Sequence, residues 1–177
     1  PAFYFDLEGY RKRDPDYKST TRDVAKILQD FQSMNVDGVL VDLRRNGGGF
    51  LSEAISLTGL FIEEGPVVQV RDVRGRVNIE EDNDPAVAYA GPMAVLVDQF
   101  SASASEIFAA AIQDYDRGIV IGNQTFGKGT VQNARDLNRF FPNSPKKYGQ
   151  LKLTIAKFYR VNGGSTQHVG VIPDITL

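Results

Sequence analysis

"MAVLVDQFSASASEIFAAAIQDYDRGIVIG", residues 93–122, is the stretch on which the fold turns. Met93–Val97 is a short, continuous apolar run of the kind that forms a strand buried on both faces. Three serines at alternate positions, Ser101, Ser103 and Ser105, then open a second apolar run that reads as a helix through about Asp114. "GIVIG", residues 118–122, is a further buried strand. Strands alternating with helices place the chain in the α/β class, with functional loops expected at the carboxyl ends of the strands.

The same alternation continues upstream. "STTRDVAKILQDFQSMN" carries Val24, Ile27, Leu28 and Phe31 at i, i+3, i+4 and i+7, an amphipathic helix with Ser/Thr available to cap it. "VDGVLVDLR" follows as a buried strand, "RNGGG" as a turn, and "LSEAISLTGLFIEEG" as a second helix closed by Gly65. "PVVQVRDVRGRVNIEED" reads as two short strands joined near Arg74-Gly75, and "EEDNDP" as a solvated loop. Downstream, "QTFGKGTVQ" is a glycine-rich exit from the last strand, and "RFFPNSPKKYGQ" is a loop. "LKLTIAKFYRVNGGSTQ" is strand and turn, and "HVGVIPDITL" holds a short terminal strand.

Composition narrows the function classes. At 177 residues the chain fits one domain with a sizeable core, 42% hydrophobic and 24% charged. A net charge of −2 gives no general basis for nucleic-acid binding. With no cysteine there are no disulfides and no thiolate metal sites, and one histidine leaves little for Ser-His chemistry. No apolar run approaches the roughly 20 residues of a membrane span. The opening "PAFYFDL" has neither an initiator Met nor a signal-peptide pattern, so the chain is expected to be a segment of a longer protein.

Four features could carry chemistry. Among the serines only Ser103 has an acid three residues on, Glu106, which completes the capping box S-x-x-E. A hydroxyl at a helix N-terminus is most often a cap. The same position also sits beside free amides and the positive end of the dipole, as a nucleophile with an oxyanion site requires. Local pattern does not separate the two readings. Second, Lys128 lies between glycines in "TFGKGTV", just past an apolar strand. Burial can bring a lysine from about 10.4 to about 7–8, where it serves as a base. "GNQTFGKG" also spells the start of a P-loop, but Gly129 stands where Ser or Thr must reach Mg²⁺, which argues against nucleotide binding. Third, the glycines of "DLRRNGGGF" can present successive amides to an anion, although such runs are usually only turns. Fourth, Asp114 near the end of the serine helix opposes the macrodipole and needs a partner, with Arg117 the nearby candidate. The lone His168 falls in a loop, where a surface or hydrogen-bonding role is the default.

"VDLRRNGGGFLSEAISLTGLFIEEGPVVQVRD", "GPMAVLVDQFSASASEIFAAAIQDYDRGIVIGNQTFGKGTVQ" and "KFYRVNGGSTQHVGVIPDI" together resemble the tail-specific, or C-terminal processing, proteases. These are serine peptidases with a Ser-Lys dyad, and the resemblance is closest to the periplasmic branch. It spans most of residues 38–175; the first 20 residues match loosely, as a lead-in strand and loop, and "RKRDPDYKS" is unaccounted for. The resemblance implies a Clp/crotonase-like α/β core of repeated ββα units, residues 1–177 forming one peptidase domain. It implies Ser103 as nucleophile, Lys128 as base, Gln132 as support for the lysine and Asp114 as a carboxylate needed for activity through positioning. Ala104 with Gly48 or Gly49 would supply the oxyanion amides, and Glu106 and Thr125 would be polar neighbours of the dyad. No metal or organic cofactor is implied. Partners would be proteins or peptides with unstructured apolar C-termini, and an adaptor protein, with no nucleic acid. Relatives also carry a PDZ domain and helical regions that this chain lacks. Two other classes stay open: a non-catalytic binding module of the same fold, and a crotonase-like acyl-CoA enzyme, which leaves Ser103 and Lys128 without a role.

Overall fold

The computed structural model describes residues 2–177. Its centre is a four-stranded parallel sheet in the order β1-β4-β5-β8, formed by Val39–Asp42, Met93–Val97, Ile119–Gly122 and Ile175–Thr176. A second, antiparallel sheet has the order β3-β2-β7-β6, from Val77–Asp82, Gly65–Asp72, Gln150–Tyr159 and Thr130–Asp136. The helices are α1 (Leu7–Lys12), α2 (Thr20–Met34), α3 (Leu51–Gly59) and α4 (Ala104–Asp114). The α/β class expected from the alternation is the class observed.

Helix α4 is buried from Ala104 through Ile112, packed against α3 and both sheets. Three consecutive alanines, Ala109–Ala111, let neighbouring elements approach it closely. Phe108 anchors the core, with Phe61 edge-on at 5.8 Å and Phe3 at 6.4 Å between ring centroids. β4 therefore delivers its following turn, which holds the three serines, onto a helix that is itself an interior element. Gly122 closes the adjacent strand where a Cβ would sit 1.9 Å from the Val97 carbonyl oxygen, so no other residue fits that register.

Three expectations change. Helix α3 ends at Gly59 rather than Gly65; Phe61 and Ile62 are buried in the turn that follows it, where both amides donate to the Thr58 carbonyl. Gly65 instead starts β2 with φ +144°. The lead-in strand is reduced to isolated bridges, Phe3 to Gly49 and Phe5 to Ser19, and the unassigned "RKRDPDYKS" contains the end of α1. Tyr17 of this segment and Tyr10 just before it pack against Phe5 in tilted or edge-on contacts, and Phe5 against Phe50. "TVQNARD" is a full strand, β6, which pairs with β7 in a hairpin through the short 3₁₀ turn Leu137–Phe140.

Candidate active site

The turn between β4 and α4 resolves the three serines by what their hydroxyls do. Ser101 is fully buried and donates to the Leu43 carbonyl at 2.8 Å while accepting the Asp98 amide at 3.0 Å. Ser105, also fully buried, donates to the Asn46 carbonyl at 2.9 Å. Both stitch the serine turn to the loop that follows β1. Ser103 alone turns its hydroxyl into an open cleft of about 650 Å³. Its backbone lies at φ 58°, ψ −115°, a region that L-residues rarely occupy and that costs on the order of 1–3 kcal/mol.

Lys128 enters the same cleft from the loop ahead of β6. Its Nζ lies 3.3 Å from Ser103 Oγ and donates to the Thr130 carbonyl at 3.0 Å. Burial holds this amine below the ordinary lysine range, the like charge of Lys152 adds to the effect, and Glu106 opposes it.

Glu106 links the two loops. Fully buried in the first turn of α4, it accepts the Ser103 amide (2.8 Å) and the Lys128 amide (2.9 Å) on Oε2. Its Oε1 accepts the Gly127 amide (2.7 Å) and the Thr125 hydroxyl (2.6 Å). The Ser103 amide bond is the Glu106 half of the capping box read from the sequence. Thr125 Oγ1 in turn accepts the Val171 amide at 2.6 Å, tying the lysine loop to the segment before β8. The P-loop spelling is thereby disposed of: the Gly127 and Lys128 amides that a phosphate would need are held by a carboxylate.

The glycine loop abuts the serine turn. A Cβ on Gly48 (φ +94°) would meet the Ala102 oxygen at 2.6 Å and the Ala104 nitrogen at 2.8 Å. The Gly48 amide itself donates to Asn46 Oδ1 at 2.9 Å, whereas the exposed Gly49 makes no hydrogen bond through its amide among the described residues. Ala104, as the first residue of α4, has an amide with no acceptor within the helix. Gln132 lines the cleft, exposed, without a hydrogen bond to Lys128.

Asp114 stands apart, at the far end of α4. It takes a two-pronged ion pair from Arg160 at the end of β7, Nη2 to Oδ1 at 2.6 Å and Nε to Oδ2 at 3.1 Å, and a bond from Asn162. Arg117 is not its partner; that guanidinium donates instead to the carbonyls of Phe61, Tyr89 and Gly91. His168 also has a structural place. Its amide donates to the Gly127 carbonyl at 2.9 Å, and neighbouring Gln167 accepts the Gly129 amide at 2.8 Å. Sequence reasoning missed Arg160 and Gln167, whose partners lie tens of residues away, and Lys152, which reaches the cleft of Ser103 and Lys128 only through folding; no local spacing marks any of them. Among the described residues, no group of three or more His, Cys, Asp or Glu side chains is placed to hold a metal ion.

The model of peptidase family S41 matches residues 4–177. A tail-specific protease of Haemophilus influenzae is 54% identical over 159 residues, 90% of this chain and 23% of its own length. A carboxy-terminal-processing protease of Bartonella bacilliformis is 36% identical over 174 residues, 96% of this chain and 38% of its own. The solved photosystem II D1 C-terminal processing protease superposes with a TM-score of 0.77 at 30% identity, covering 89% of this chain and 39% of that one. Mature CPAF in complex with lactacystin, at 18% identity and a TM-score of 0.72, shares the fold. The chain spans between about a quarter and two-fifths of the length of these two relatives by sequence.

Proposed function

The chain belongs to peptidase family S41, and from that premise we propose that it is the catalytic core of a serine endopeptidase working through Ser103 and Lys128. The observation that carries the reading is the half-buried Lys128 amine 3.3 Å from the one serine hydroxyl of the turn left facing the cleft. In an apo site such a contact is commonly looser than in the reacting complex.

In this reading Lys128 reacts as the neutral amine. An N–H on the Thr130 carbonyl orients Nζ so that its lone pair faces Ser103. Lys128 takes the hydroxyl proton as Oγ bonds to the peptide carbonyl carbon. The oxyanion that forms is held by the Ala104 amide and one amide of the glycine loop. With Gly48 committed to Asn46 Oδ1, Gly49 is the available donor in this conformation. The lysine then gives its proton to the departing amine, the peptide bond breaks, and water admitted to the cleft hydrolyses the acyl-serine with Lys128 again as base. Glu106 and Thr125 position the two loops, Asp114 braces the end of α4 through Arg160, and Gln132 borders the cleft beside the lysine.

The names of the relatives support protein substrates attacked through their C-terminal tails, loose and apolar by the resemblance already drawn. We place the tail-gripping PDZ domain and any adaptor-binding regions elsewhere in the parent chain, and the whole in a bacterial periplasm. The test is labelling of the full natural chain by a serine-directed phosphonate. Labelling is expected to vanish in Ser103→Ala and to fall sharply in Lys128→Ala. Undiminished labelling of Ser103→Ala would leave the fold to a binding module or another chemistry.

A further inference from the structure

Lys152 is the second cation of the cleft. It lies on β7, opposite Ala134 of β6, and lines the same cavity as Ser103, Lys128 and Gln132. Its ammonium forms no hydrogen bond and no ion pair among the described residues, although carboxylates partner the side chains of Arg44, Arg76 and Arg160. Lys152 is exposed, so solvent and salt screen it in part, but like charges that share one cleft still disfavour each other.

We propose that Lys152 tunes the dyad: by making a second positive charge in the cleft costly, it keeps Lys128 neutral and sets the pH range in which Ser103 reacts. This rests on the reading of Lys128 as the base. The charged and titratable groups around Lys128 leave the role to Lys152. From α4, Glu106 presents its carboxylate to the lysine loop's amides and favours the charged amine. From the N-terminal segment, Tyr4 lines the cleft, but its hydroxyl is bound to Asp23. From β7, Lys157 pairs with Thr130 on the other side of the break in the β6–β7 ladder from Lys152, and it is not among the residues of the cleft wall. From the loop before β8, His168 meets the lysine loop through its backbone, with its ring on Gln167. Among the described residues Lys152 is the remaining cation of the wall, and it acts on Lys128 in the same direction as burial.

The experiment measures the rate of phosphonate labelling of Ser103 against pH in the full natural chain. In Lys152→Met the acid limb is expected to move to higher pH, giving a several-fold loss near neutral pH that is recovered at alkaline pH. Lys152→Glu should move it further, and Lys152→Arg should restore the wild-type profile. Raising the salt concentration should move the wild-type limb upward and the Lys152→Met limb much less, because only the former contains the charge pair that ions screen. A rate lowered equally at every pH, or a limb that stays in place in Lys152→Met, overturns the proposal. Lys128→Ala separates the two readings: if it labels as fast as wild type, the assignment of the base has failed, and if it is inert while Lys152→Met leaves the limb unmoved, only the tuning role has.

Discussion

Replacing Glu106 with Gln should cost the protein about 3 kcal/mol and slow the reaction of Ser103 at the same time. The carboxylate takes four donors, the amides of Ser103, Gly127 and Lys128 and the Thr125 hydroxyl, at distances from 2.6 to 2.9 Å. An amide in its best orientation keeps its oxygen on Ser103 and Lys128 and turns its NH₂ toward Thr125, whose hydroxyl can rotate to accept. The Gly127 amide then faces another donor and goes unmet, at about 1–3 kcal/mol. Bonds to a charged acceptor are worth about 1.5–3 kcal/mol against about 1 for neutral ones, so the two amides that remain bound lose on the order of 1 kcal/mol each. Relief from burying a charge offsets part of this. For a chain of 177 residues, about 3 kcal/mol corresponds to a Tm lower by roughly 6–12 °C. Urea unfolding of wild type and Glu106→Gln gives the free energy, and phosphonate labelling well below the variant's Tm gives the effect on Ser103. If Glu106→Gln lies within about 0.5 kcal/mol of wild type and labels at the same rate, the account of Glu106 as the common anchor is refuted.

Three further outcomes follow from the same geometry. Ser103→Gly relieves the positive φ and should unfold at higher urea than Ser103→Ala by about 1 kcal/mol, both being unreactive; equal stability would mean that the turn is unstrained. Asp114→Asn breaks a mostly buried ion pair and should lose about 3 kcal/mol, with Arg160→Met losing a similar amount and the double variant less than the sum, read by a double-mutant cycle in urea. Lys128→Met should be more stable than wild type at neutral pH. The folded chain holds the Lys128 proton less tightly than the unfolded chain, so wild-type stability rises with pH between the lowered value and the ordinary lysine range. The variant's advantage should therefore be greatest below that window and disappear above it; an advantage independent of pH would contradict the burial of the amine.

Much of the fold could be read in the chain because its elements are locally encoded. The apolar run Met93–Val97 and the helix Ala104–Asp114 appear where periodicity puts them. Helix α3 shows the limit of that reasoning. Phe61 and Ile62 extend its apolar pattern in sequence, but the helix stops at Gly59 and both are buried in the turn beyond it, their amides drawn back to the Thr58 carbonyl. "TVQNARD" has weak strand character by itself and becomes β6 through its ladder with β7, whose pairing partners lie about 14 to 27 residues further on.

For the site, the sequence alone determined which serine could be special, since only Ser103 has an acid at the spacing of a capping box. It also determined that Lys128 sits in a loop whose flanking glycines permit close approach. A cap can act as a nucleophile only if a base stands opposite it, and which residue stands there is decided by tertiary structure. Folding buries α4 between the sheets and brings Glu106 against residues 125–128, which places the Lys128 amine beside Ser103, 25 positions earlier in the chain. The same closure gives Asp114 to Arg160 rather than to Arg117, three residues away. Hydrogen bonds and ion pairs across such separations follow from the packing of whole elements, and no periodicity of single residues encodes them.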